Sequence, residues 1–159
     1  MMEENYIMIL IQSLEKKVKV LEELSRENAN QRQLLQKEEL DLDQFQASID
    51  KKDQLIEQVT FLDDGFEKMY EHVKDVLNDK KEVYENEIVH LKELVSKVTG
   101  QTADIQREEA NNRRLAEQQF SSMKKKVRQV KDTKQVANKY YQNMARLNHV
   151  EPQFMDKKK

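Results

Sequence analysis

The chain has 159 residues, of which 36% are charged and 37% are hydrophobic, and its mean hydropathy is −0.96. This length suits one domain, but the polarity excludes a thick globular core. Two glycines and one proline are too few for the turns of a strand-rich protein, and the lack of cysteine excludes disulfide bonds and thiolate chemistry.

Apolar residues recur along the chain in alternating steps of three and four, the spacing of helices that pack in a coiled coil or a long bundle. The pattern predicts a first helix that ends near residue 38, a second between turns near residues 39–42 and 77–81, and a third that continues past residue 120. The stripes include Ile7, Leu10, Leu14, Val18, Leu21 and Leu24, then Phe45, Ile49, Ile56, Val59, Phe66 and Val73, and then Leu91, Val95, Val98, Ile105, Ala116 and Phe120.

Short polar sequences suggest where the helices begin. "DLDQ" at 41–44, "DKKE" at 79–82 and "DTKQ" at 132–135 each resemble a capping box, in which a short acceptor is followed three residues later by Glu or Gln. The third box allows a break before the C-terminal stretch, and Pro152 ends any helix there. The stretch around Gly65 is also expected to kink or split the second helix.

The register of the predicted helices can be checked against the polar residues on their stripes. If three antiparallel helices of about 35 residues form a rod roughly 50 Å long, helices 1 and 3 align with an offset of about 80 residues. Asn28 and Gln31 then lie opposite Glu109 and Asn112. We therefore predict a buried polar layer that fixes the register of the bundle.

The C-terminal part of the chain differs from the rod in charge and in packing. Residues 1–120, the predicted rod, carry a net charge of −10, whereas residues 121–148 carry +7. In the predicted register the apolar stripe of residues 121–150 finds no groove within the molecule, so this basic amphipathic segment is expected to bind a partner. Residues 151–159 are predicted to be a disordered tail. The expected partner-binding residues are Met123, Val127, Val130, Val136, Ala137, Tyr140, Tyr141, Met144 and Leu147.

The sequence contains no recognisable catalytic, cofactor or metal motif. His72, His90 and His149 are widely separated along the chain and predict no metal site, so we expect neither an enzyme nor a cofactor. The basic cluster at 124–128 could bind nucleic acid or a membrane surface, but the pI near 6.0 and the acidic rod disfavour both. Without an apolar run long enough to span a bilayer, we expect a cytoplasmic protein.

Several stretches taken in order resemble a known family. They are "LEKKVKVLEELSRENANQRQLL", "EELDLDQFQASIDKKDQLIEQV", "GFEKMYEHV", "IQREEANNRRLAEQQF" and "ANKYYQNM". This order is similar to that of flagellar export chaperones of the FlgN type, and the related FliT type shares the architecture. The resemblance implies an all-helical chaperone that binds the C-terminal helical segments of hook–filament junction proteins, also called hook-associated proteins, and delivers them to the type III export gate.

The family's exposed C-terminal amphipathic helix usually binds the cargo, so the resemblance assigns that role to the apolar face of residues 121–150. An alternative from a different class remains open. The chain could be a structural coiled-coil or adaptor protein that forms a homodimer through the same C-terminal helix.

Overall fold

A computed structural model describes residues 2–123 and 127–154, apart from the side chain of Val127. These residues contain helices and no strand, so the predicted all-α helical bundle is confirmed. The elements are α1 (Met2–Leu35), α2 (Leu42–Asp79), α3 (Glu85–Ser122), α4 (Val127–Asn143) and a 3₁₀ turn (Met144–Asn148).

The first of the three predicted capping sequences starts a helix, and the other two do not. The backbone N–H of Gln44 donates to Asp41 Oδ1 at 3.1 Å and caps α2. Asp79 is instead the last residue of α2, and turn amides after it bond to the Lys80 carbonyl before α3 begins. α4 continues through 132–135 because Thr133 is buried and accepts a hydrogen bond from Gln46 of α2 at 3.3 Å.

The three long helices have the predicted lengths, and a fourth helix packs against them. α1 packs along both α2 and α3, while α2 and α3 approach each other at few points and leave a groove between them. α4 occupies this groove and runs parallel to α2, as hydrogen bonds from Gln129 to Asp43 and from Asn143 to Asp53 show. The prediction that residues 121–148 lack an intramolecular groove is therefore wrong. It treated α1 as the only partner of α3 and overlooked the space between α2 and α3.

The chain after α4 continues along the same groove. Phe154 packs edge-on against Phe66 and Tyr70 of α2, and Glu151 is 4% exposed. Residues 151–154 thus pack on the rod, unlike the disordered tail predicted from residue 151, because two aromatic side chains of α2 offer an apolar surface there. Residues 155–159 lie outside the described chain. We call residues 127–154 the C-terminal segment.

Two apolar clusters form the core, one at each end of the rod. The cluster beneath α4 includes Leu21, Leu24, Phe45, Ile49, Ile56, Ile105, Phe120 and Tyr140, and the cluster at the far end includes Ile7, Leu10, Leu14, Phe66, Val73, Leu91 and Phe154. α2 continues through Gly65 without a break. The C-terminal segment contributes to both clusters and so spans most of the groove.

Candidate partner-binding segment and its buried polar contacts

The residues predicted to bind a partner share one face of the C-terminal segment, and that face contacts the rod. Met123, at the end of α3, packs partly buried against the same core. The side chain of Val127 lies outside the described residues. Binding of a partner by this face stays a prediction. On the segment, Val130, Ala137, Tyr140 and Leu147 are buried, and Val136, Tyr141 and Met144 are partly buried against the core.

The predicted polar layer is present beneath α4, and Lys52 lies at its centre. The fully buried Lys52 ammonium donates to Asn28 Oδ1 at 3.0 Å, to Gln31 Oε1 at 2.8 Å and to Glu109 Oε1 at 2.7 Å. Asn112 donates to the Asn28 carbonyl at 3.0 Å and to Gln31 Oε1 at 3.2 Å. The helix offset predicted from the sequence is therefore confirmed, and each of the three long helices contributes to the layer.

Tyr140 connects α4 to this layer. Its hydroxyl donates a hydrogen bond to Glu109 Oε2, and the Lys52 ammonium lies 4.6 Å from the centre of its ring. Burial lowers the pKa of Lys52, although the Glu109 carboxylate opposes the change. Burial also raises the pKa of Tyr140, with the negative charge of Glu109 acting in the same direction. The tyrosine therefore stays protonated and serves as a hydrogen-bond donor to the rod.

The neighbouring Tyr141 lines a shallow cleft between α3 and α4. The Arg113 guanidinium lies 4.6 Å from the centre of its ring, and the Lys134 ammonium lies 5.8 Å from the centre of the Phe120 ring. The Tyr141 hydroxyl is buried and has no hydrogen-bond partner within the described chain. Burial raises its pKa, and Glu109 adds to the effect. Two cation–π contacts, one on the Tyr141 ring and one on the Phe120 ring, therefore hold α4 to α3 on this side.

A second buried polar cluster anchors the chain after α4. The Lys17 ammonium of α1 donates to Asp63 Oδ1 of α2 at 2.6 Å and also to Glu151 Oε1. His149 lies beside them, with Nε2 at 3.8 Å from Glu151 Oε2 and Nδ1 at 3.6 Å from Glu67 Oε1. Burial raises the pKa of Asp63; Lys17 opposes this effect, whereas Glu151 adds to it.

Lys17, Lys52 and Asp63 were missed as functional candidates, although the sequence contains a signal for two of them. Lys52 falls between Ile49 and Ile56 on the apolar stripe of α2, and Asp63 falls between Val59 and Phe66 on the same stripe. A charged residue at a core-facing position of a helix implies a buried partner, because an unpaired buried charge is costly. Such interruptions of a stripe were the available clue. The partners themselves lie too far away along the chain to be identified from spacing.

The outer face of α4 is basic. Arg128, Lys131, Lys134, Lys139 and Arg146 are exposed. Of the predicted basic cluster at 124–128, Arg128 is among them, and Lys124, Lys125 and Lys126 lie outside the described residues. The C-terminal segment therefore shows solvent a positive face and covers its apolar face with the rod.

Among residues 2–123 and 127–154, none of the helices combines the length and the apolar composition that a membrane-spanning segment needs. Comparison with curated proteins and with solved structures finds no match. The sequence model of the family described as FlgN protein matches residues 1–149, which cover α1 to α4 and the 3₁₀ turn. The chain therefore belongs to the FlgN family of flagellar export chaperones.

Proposed function

We propose that this chaperone acts in the cytoplasm, binds the C-terminal helical segments of hook-associated proteins and delivers them to the type III export gate. The proposed binding element is the apolar face of the C-terminal segment, which contains Val136, Tyr140 and Met144. The observation that carries the proposal is that a helix of suitable pattern fills the groove between α2 and α3, while α1 packs on each of these two helices independently of it. Such a helix can exchange one helical partner for another.

In this proposal the client competes with the rod for one face of α4. Tyr140 is fully buried, so α4 must leave the groove before this face becomes available to another helix. The apparent affinity for a client then equals the intrinsic affinity multiplied by the fraction of molecules in which α4 is free. This cost lowers the net affinity, which suits a complex that must later release its cargo.

The charge of the segment favours a particular kind of client. Five exposed basic side chains lie on the outer face of α4 and its 3₁₀ turn, and one acidic residue, Asp132, lies among them. An acidic client segment would be drawn to this surface, and such attraction speeds encounter more than it raises affinity.

A covalent tether tests whether α4 must leave the groove. The chain contains no cysteine, and Asn143 Nδ2 of α4 lies 3.4 Å from Asp53 Oδ1 of α2. Asp53→Cys with Asn143→Cys, bridged by a short bismaleimide, would hold α4 on the rod. We expect the bridged protein to lose binding of C-terminal peptides of hook-associated proteins in calorimetry, and the same unbridged variant to bind as the wild type does. Equal binding by both forms would contradict the proposal and assign clients to the exposed surface.

The homodimer hypothesis depended on an uncovered apolar face of the C-terminal helix. The rod covers this face in the described structure, so a homodimer through it, like client binding, requires α4 to leave the groove. Peptides from hook–filament junction proteins and peptides from filament-cap proteins can be compared in the same calorimetric assay.

A further inference from the structure

We propose that His149, Glu151 and Asp63 form a binding site for a divalent transition-metal ion such as Zn²⁺, which links the C-terminal segment to α2. One potential ligand atom from each residue lies within 4.8 Å of the other two. An imidazole nitrogen with two carboxylate oxygens is a ligand set that zinc accepts, and a water molecule can complete its four-coordinate shell.

Two buried atoms in this cluster face each other without a hydrogen bond between them. Glu151 Oε2 and His149 Nε2 have no hydrogen-bond partner within the described chain, and the Glu151 side chain is 2% exposed. Their separation of 3.8 Å is too long for a hydrogen bond. Two ligands of a tetrahedral zinc ion lie about 3.4 Å apart, given metal–ligand bonds of about 2.1 Å. A small movement would therefore place both atoms on one ion.

The second ring nitrogen of His149 also lies near a carboxylate. Nδ1 is 3.6 Å from Glu67 Oε1, just beyond hydrogen-bond distance. The movement that brings Nε2 and Glu151 Oε2 onto one ion can close this gap, and a carboxylate hydrogen-bonded to Nδ1 leaves the Nε2 lone pair for the cation, as in carboxylate–histidine–zinc arrangements. Glu67 would thus act as a positioning residue.

Formal charge is compatible with a cation at this site. The buried Asp63 and Glu151 contribute two negative charges and the buried Lys17 contributes one positive charge, so one negative charge remains, and the Glu67 carboxylate, 60% exposed, adds a second that water screens. A cation at the site therefore meets a net negative charge. Lys17 does not block the proposed ion, because its ammonium contacts Asp63 Oδ1 and Glu151 Oε1 and leaves Glu151 Oε2 free.

The test is equilibrium dialysis of the full chain against Zn²⁺ after treatment with a chelator, with the bound metal measured directly. We expect one Zn²⁺ per chain and at least tenfold weaker binding by His149→Gln and by Glu151→Gln. His90→Gln is the matched control, because His90 also lies near a carboxylate, at 3.9 Å from Glu15, but is about half exposed and outside the cluster. It should bind Zn²⁺ as the wild type does. Absence of stoichiometric binding, or equal binding by His149→Gln, would overturn the proposal.

A second measurement keeps the test decisive if the buried variants unfold. Glu67 is 60% exposed, so Glu67→Gln should leave the helical circular-dichroism signal unchanged and weaken metal binding about tenfold through loss of the negative charge beside Nδ1. Co²⁺ bound to the wild type should show the visible absorption of a four-coordinate ion. An unchanged metal affinity in Glu67→Gln together with the absence of that absorption would refute the site. Neither measurement uses a client, so a negative result leaves the proposed chaperone function untouched.

Discussion

Replacing Lys52 by Met is the sharpest test of the buried polar layer. The substitution keeps the length of the side chain and removes three hydrogen bonds, to Asn28, Gln31 and Glu109. The Glu109 carboxylate, which is 1% exposed, would retain the Tyr140 hydroxyl as its donor and lose its counter-ion. Breaking a buried ion pair by removing one partner costs about 3–5 kcal/mol. Since domains are stable by about 5–15 kcal/mol, Lys52→Met should remove at least about a fifth of the stability.

The measurement is urea unfolding followed by circular dichroism. Lys51→Met is the control, because the neighbouring Lys51 is 63% exposed in its side chain and pairs with Glu27 at 3.3 Å, so its loss should cost less than about 1 kcal/mol. Adding Glu109→Gln to Lys52→Met removes the unpaired charge and keeps an acceptor for Tyr140. The double variant should therefore be more stable than Lys52→Met alone. A cost below about 1 kcal/mol for Lys52→Met, or additive costs in the double variant, would refute the reasoning.

Three further predictions follow from single positions. Gly65 and Gly100 lie inside continuous helices where an added Cβ meets no atom within 4 Å, so each Gly→Ala change should raise the free energy of unfolding by about 0.8–1 kcal/mol in urea titrations. Tyr140 holds its proton in the folded protein above pH 10.0, where the unfolded chain loses it, so stability should fall by up to about 1.4 kcal/mol per pH unit there. Tyr140→Phe should flatten this decline; an unchanged slope would contradict the raised pKa. Leu147→Ala should cost about 2–5 kcal/mol and speed hydrogen exchange in α4, because Leu147 is buried in the core; a cost below about 0.5 kcal/mol would show that this end is loosely packed.

The sequence predicted the long helices and their register because both depend on local or periodic signals. The apolar stripes specified α1, α2 and α3, and the positions of Asn28 and Gln31 relative to Glu109 and Asn112 specified the offset that the hydrogen bonds confirm. These features depend on spacing along the chain, which a single sequence contains in full.

The path of the C-terminal segment could not be predicted in the same way. Whether α4 lies in a groove depends on the distance between α2 and α3, which no spacing along one helix reveals. The cluster of Lys17, Asp63 and Glu151 joins residues 46 and 134 positions apart, so only the folded chain brings them together. Sequence reasoning therefore found the residues of the candidate binding face but assigned them no partner within the molecule.

The charges in the two buried polar clusters, around Lys52 and around Lys17, affect how easily the C-terminal segment can leave the rod. In the first cluster Lys52 and Glu109 both belong to the rod, and in the second Lys17 and Asp63 do so as well. Each rod pair combines one positive and one negative charge, whereas the segment adds the neutral Tyr140 to one pair and Glu151 to the other. Departure of the segment thus leaves both buried lysines with a carboxylate. The main costs of release are then exposure of apolar surface and loss of a few polar contacts, and a client helix that covers the same apolar face can offset the first of these.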